Sequence, residues 1–182
     1  MAVVQANPDE PIKGLVSNRY CVFELILPHI QAMRVLLVNN LVIEEDQYSD
    51  LARREKNFNG KRWADLERKI SGMALANIAG NLHKLVREPE VRTVHLSELN
   101  EATVAAFDPD AIVLSGTLRD FDFYHPSLLE GFNQFIYDTR VPVLGICGGH
   151  QLIGQAYGAQ ITTIDGKPPS TRRQGRLIEY QY

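Results

Sequence analysis

The chain has 182 residues, of which 45% are hydrophobic, and a net charge of −3. That length can bury a sizeable core in one domain, and the slight acidity argues against a nucleic-acid partner. No apolar run approaches the ~20 residues of a membrane span, and the chain start lacks the basic residues of a signal peptide. Two cysteines, Cys21 and Cys147, suggest neither a disulfide framework nor a zinc cluster. Unpaired thiols fit a reducing compartment, so a cytoplasmic location is expected.

Residues 1–32 read as an N-terminal extension. Within it, residues 22–30 are apolar but broken by Glu24 and Pro28. Residues 33–39 form a near-continuous apolar run, as buried parallel strands do. Residues 46–90 are long for one connection between strands and read as a helical insertion. Arg53, Arg54, Lys56, Lys61, Arg62, Arg68 and Lys69 alternate there with Glu55, Asp65 and Glu67, while Trp63, Leu66 and Ile70, then Ile78, Leu82 and Leu85, recur at helical spacing. The pattern predicts one or two amphipathic helices with a solvated charged face, in preference to a docking surface. Residues 92–96 are a shorter strand candidate, and 111–115 and 141–146 are the third and fourth. Helices are predicted over 126–137 and 149–157, the second stopped by Gly158 in a left-handed conformation. Residues 159–163 and 176–180 are β-rich, and Lys167, Arg172, Arg173 and Arg176 beside Pro168 and Pro169 suggest a surface loop.

Alternation of strands and helices predicts an α/β fold, a mostly parallel sheet with helices on both faces. Sites in such sheets form at the carboxyl ends of strands. The run Gly145-Ile146-Cys147-Gly148-Gly149-His150-Gln151 follows the fourth strand at such an end. A strand enters a sharp turn with a thiol at its tip and a helix leaves it, the cysteine counterpart of a nucleophile elbow. Gly145 and Gly149 would remove Cβ atoms that collide in so tight a turn. Gly148 would leave the approach to the thiol open and aim its N–H at a developing oxyanion, and Ile146 is expected to be buried. The start of the next helix would favour thiolate at Cys147.

This elbow resembles the signature of class I glutamine amidotransferases of the Cys-His-Glu type. Residues 111–117, ending in Ser115-Gly116-Thr117, resemble that family's strand and oxyanion loop, although Thr117 and Leu118 stand where the family has a second Gly and a Pro. The resemblance covers residues 33–182. It implies a flavodoxin-like domain, incomplete at the C-terminus. It also implies Cys147 as nucleophile, an oxyanion hole from Gly148, Gly116 and Thr117, glutamine seated by Gln151, no metal or cofactor, and ammonia delivered to a synthase partner.

A thiolate nucleophile also needs a base. The family supplies it from a His-x-Glu segment downstream of the elbow, and no His follows His150 here. His150 lies within the helix after the elbow, and His125, before Pro126, reads as a loop or helix start with Ser127 near the cap. Neither is expected to serve as base. His29, His83 and His95 read as packing or surface residues. Weak or no turnover is therefore expected of residues 1–182 alone. Two alternatives stay open: a γ-glutamyl hydrolase on the same fold, and a catalytically incomplete homologue acting in binding or regulation.

Overall fold

A computed structural model of the chain describes residues 32–161. The N-terminal extension up to residue 31, Cys21, His29, the basic loop 167–176 and the candidate strand 176–180 lie outside the described residues. The elements run β1 (Ala32–Asn39), α1 (Asp50–Arg53), α2 (Gly60–Leu85), β2 (Glu88–His95), α3 (Glu101–Phe107), β3 (Ala111–Leu114), α4 (Pro126–Asp138), β4 (Val143–Gly145) and α5 (Gly148–Ala156). The strands form one sheet in the order β2-β1-β3-β4, with every pair parallel. This is the α/β architecture the alternation predicts.

Side chains alternate across a strand, so β1 feeds two cores. Leu36 and Val38 enter one cluster with Ile112 and Leu114 of β3, Phe107 of α3, Phe132 and Ile136 of α4, and Leu152 of α5. Val35 and Leu37 enter the other with Val113, against Leu75, Ile78 and Leu82 of α2. A strand buried on both faces needs a continuous apolar run, which β1 has from Val35 to Val38.

The segment 46–90 contains α1 and the 26-residue α2, which carries the chain from β1 to β2. Asn59 caps α2 by accepting the Arg62 N–H at 2.9 Å. Its inward stripe includes Trp63, Ala64, Glu67 and Ser71, while Leu66 is exposed. One expectation is overturned here. Glu67 belongs to no solvated face: it is 0% exposed, because it stands one turn from Trp63 and faces polar partners inside the fold.

A second correction concerns β4. The strand covers only Val143–Gly145, and Ile146 is 38% exposed where burial was expected. Leu144, two residues earlier on the same face, is 61% exposed. Among the described residues β4 is an edge strand, and α2 packs across β1 and β3 without covering this end. The short α3 was not expected from the sequence. Asn100 caps it and the left-handed Asp108 ends it. At the end of α5, Gly158 takes φ +84°, and the Ala159 N–H returns to the Gly154 carbonyl at 2.9 Å. Residues 159–161 form no strand.

His95 closes β2 as a buried side chain. Its Nε2 lies 2.9 Å from the Leu41 carbonyl, which can only accept, and its Nδ1 accepts the Ser97 N–H at 3.2 Å. Those contacts require the neutral ring with the proton on Nε2. Burial lowers its pKa from 6.5, against smaller opposing effects of the Leu41 hydrogen bond, Glu98 and Glu44. With the folded value depressed, His95 stabilises the fold above about pH 6.5, and that contribution is lost as pH falls toward the folded value. The melting temperature should therefore fall more steeply between pH 7 and 5 in the parent than in His95→Gln. Parallel curves would refute this.

Candidate active site

The parallel register places three chain segments at one edge of the sheet. Val38 pairs with Leu114 and Leu114 with Gly145, so Asn40, Ser115-Gly116 and Ile146-Cys147 all emerge at carboxyl ends. Cys147 sits at the N-cap of α5 with φ 51° and ψ −113°, and it is exposed. A positive φ is uncommon for a residue with a side chain and has to be held by its surroundings. The Cys147 carbonyl accepts the His150 N–H at 3.0 Å, and the Gly149 N–H donates to the Ile146 carbonyl at 2.9 Å.

The three glycines of the elbow each meet something different. A Cβ on Gly145 would lie 2.5 Å from Gly149 C and His150 N, within the first turn of α5. One on Gly149 would lie 2.7 Å from the carbonyl oxygens of Leu114 and Ser115. One on Gly148 would run into the Thr117 side chain. The elbow is thus pressed against both its own helix and the loop after β3.

That loop passes beside the thiol. A Cβ on Gly116 would stand 3.5 Å from Cys147 Cβ. Among the described residues, the N–H groups of Gly116, Thr117 and Gly148 have no hydrogen-bond partner. The loop start is fixed through β1. Asn40 donates its N–H to Ser115 Oγ at 3.0 Å and its Nδ2 to the Ser115 carbonyl at 2.6 Å. The Tyr124 hydroxyl donates to the Asn40 carbonyl at 2.7 Å.

The loop also leads into a buried polar cluster. Arg119 donates from Nε to Glu67 Oε1 and lies with its Cζ 3.6 Å from the Trp63 ring centroid. Glu67 also accepts from the Tyr48 hydroxyl at 3.0 Å and from the Val42 N–H at 3.1 Å. Burial pushes the Glu67 carboxyl upward in pKa, opposed by Arg119, Tyr48 and the Val42 N–H. The Tyr48 hydroxyl is also pushed up, chiefly by burial and then by the adjacent Glu67 charge. Charge alternation along the sequence put Glu67 on a solvated face and gave no role to Arg119. The available signal was an acidic residue four positions after Trp63, on the apolar stripe of a helix.

The remaining candidates sit apart from this cluster. Gln151 is an exposed residue of α5, and His150 is that helix's third residue, also exposed. His125 caps α4, with Nδ1 accepting the Ser127 N–H at 3.3 Å and lying 2.7 Å from Ser127 Oγ. His83 is exposed on α2. Among the described residues, no group of His, Cys, Asp or Glu is arranged to hold a metal ion, and no helix is long and apolar enough to cross a membrane.

Comparison with known proteins agrees with this geometry. The chain is 28% identical over 167 residues to a cobyric acid synthase of Yersinia enterocolitica, covering 85% of the chain and 32% of that protein. It is 29% identical over 156 residues to the cobyric acid synthase of Listeria monocytogenes, covering 79% of the chain and 30% of the relative. Over 62 residues it is 37% identical to a glutamine-hydrolysing GMP synthase component from Methanothermobacter thermautotrophicus, covering 33% of the chain and 29% of that relative. The chain therefore spans about a third of the length of these relatives. The family model described as glutamine amidotransferase class-I matches residues 73–180, more than half of the sequence. The chain belongs to the class I glutamine amidotransferase family.

Proposed function

We propose that this domain releases ammonia from glutamine through a thioester on Cys147. The observation that carries the reading is the exposed thiol of Cys147, held at positive φ at the start of α5 beside the Gly116 loop. The thiolate adds to the side-chain amide carbon. The C–N bond breaks as nitrogen takes up a proton, and ammonia leaves. Water then cleaves the thioester to glutamate and restores the thiol. The oxyanion formed in each step would be held by the N–H groups of Gly148 and of Gly116 or Thr117, which are free among the described residues. Gln151 would seat the substrate. The relatives' names describe synthases, one of them glutamine-hydrolysing, and the ammonia is proposed to pass to a synthase domain or partner protein in the cytoplasm.

A base must still deprotonate the thiol and then activate water. One experiment tests this and a second reading, a domain that binds glutamine or a γ-glutamyl compound without turning it over. Alkylation by the chloroketone analogue of glutamine separates the outcomes. Its carbonyl oxygen takes the place of the amide oxygen while thiolate displaces chloride, so capture tests pocket and nucleophile without requiring turnover. Cys147 should be alkylated in the parent, and capture should vanish in Cys147→Ala, whose melting temperature should stay close to the parent's. An unmodified Cys147 at saturating reagent would overturn the assignment.

A further inference from the structure

We propose that Glu67 and Arg119 act as a positioning clamp that fixes the 116–118 loop against the Cys147 elbow. The inference rests on the glutaminase reading and adds two residues that do not touch the reacting atoms. The loop is tied at both ends. At its start, Ser115 is held by the Asn40 N–H at 3.0 Å and the Asn40 amide at 2.6 Å. At its far end, the Arg119 guanidinium is held by Glu67 and lies against the Trp63 ring, its side chain only 16% exposed. Trp63 is in turn braced edge-on by Tyr48 and Phe58, with centroids 5.7 and 5.1 Å away. Only three residues separate the two anchors, and they include Gly116 and Thr117, the proposed oxyanion donors of this loop.

The sequence of the loop explains the need for such a clamp. Thr117 carries a branched side chain into the contact with Gly148, where a Cβ would strike it. A bulky residue there has to sit in one place to leave the thiol accessible and keep the neighbouring N–H groups aimed. Oxyanion donors act through preorganisation, and displacement of about 1 Å can lower a rate on the order of 100-fold. Glu67 lies in α2, 52 residues before Arg119 in the chain, so the clamp makes donor placement depend on how α2 packs.

The test compares two alkylating reagents at Cys147, read by peptide mapping in the full chain. The chloroketone analogue of glutamine needs the oxyanion donors; iodoacetamide reports thiol reactivity alone. In Arg119→Met, which keeps an apolar contact with Trp63, chloroketone alkylation should slow by about tenfold or more while iodoacetamide stays within about twofold of the parent. Arg119→Lys should recover part of the loss, and Glu67→Gln should slow the chloroketone in the same selective way. Amide hydrogen exchange at residues 116–118 should quicken in Arg119→Met. Unchanged chloroketone rates in the variants, with a reactive parent, would overturn the clamp and leave the glutaminase reading intact. Equal slowing of both reagents would also overturn it, as a general loss of structure. A parent that the chloroketone does not modify would overturn the glutaminase reading and with it the proposed role of the clamp.

Discussion

Gly145→Ala should unfold the elbow at a cost of about 3 kcal/mol or more, the upper end of what overpacking costs. The added methyl would stand 2.5 Å from Gly149 C and His150 N and 2.6 Å from the Gly149 carbonyl oxygen. All three are backbone atoms of the first turn of α5, so no flexible side chain can give way. Relief requires β4 to part from α5 or Cys147 to leave its positive φ, and either displaces the thiol. For a chain of this length the melting temperature should drop by roughly 6–12 °C, and Cys147 should lose capture by the chloroketone in the molecules that remain folded. Gly131→Ala is the matched control. Gly131 is an exposed glycine within α4, and nothing lies within 4 Å of its added Cβ. The same substitution there should stabilise by about 0.5–1 kcal/mol, because alanine loses less backbone entropy in a helix. A Gly145→Ala protein within about 0.5 kcal/mol of the parent, with Cys147 still captured, would show that the elbow is not held this way.

The contrast between those two glycines bears on what could be read from the sequence. The elbow was legible because its constraint is local. The glycines that relieve the turn lie within two residues of Cys147, and the apolar strand precedes them directly. β1 was legible for a similar reason, since burial on both faces leaves the continuous apolar run Val35–Val38. Ile146 was misread because its exposure depends on what covers the far face of β4, which the residues of β4 do not record. The short α3, from Glu101 to Phe107, has too few turns to establish a period. Glu67 was misread because its partners Tyr48, Val42 and Arg119 lie 19, 25 and 52 residues away. Charge alternation along α2 cannot distinguish a carboxylate facing water from one facing an arginine brought in by another loop. The stripe position of Glu67 beside Trp63 was the only local trace of its burial.

Glu67→Leu should therefore destabilise the fold by about 3–5 kcal/mol, the range found when one partner of a buried ion pair is removed. The change keeps an apolar side chain of similar size but leaves the Arg119 guanidinium, the Tyr48 hydroxyl and the Val42 N–H without their acceptor. An unmet buried donor costs more than a hydrogen bond contributes, because its desolvation is no longer offset. Wholesale replacement should behave differently. Withdrawing the carboxylate and the guanidinium from water costs free energy that their mutual attraction need not fully return. In Glu67→Leu with Tyr48→Phe and Arg119→Met, only the Val42 N–H is left unmet, and the apolar replacements pack with Trp63, Phe58 and Phe123. The triple variant should regain about half or more of the stability lost in the single one, following the rule that apolar replacement of a whole buried pair is often neutral. Denaturant unfolding of both variants checks this, and additive losses would contradict it. Recovery of stability should not bring recovery of chloroketone capture, because the triple variant still lacks the ion pair that ties the 116–118 loop. That separation of stability from reactivity distinguishes a cluster that merely fills the core from one that sets the geometry beside Cys147.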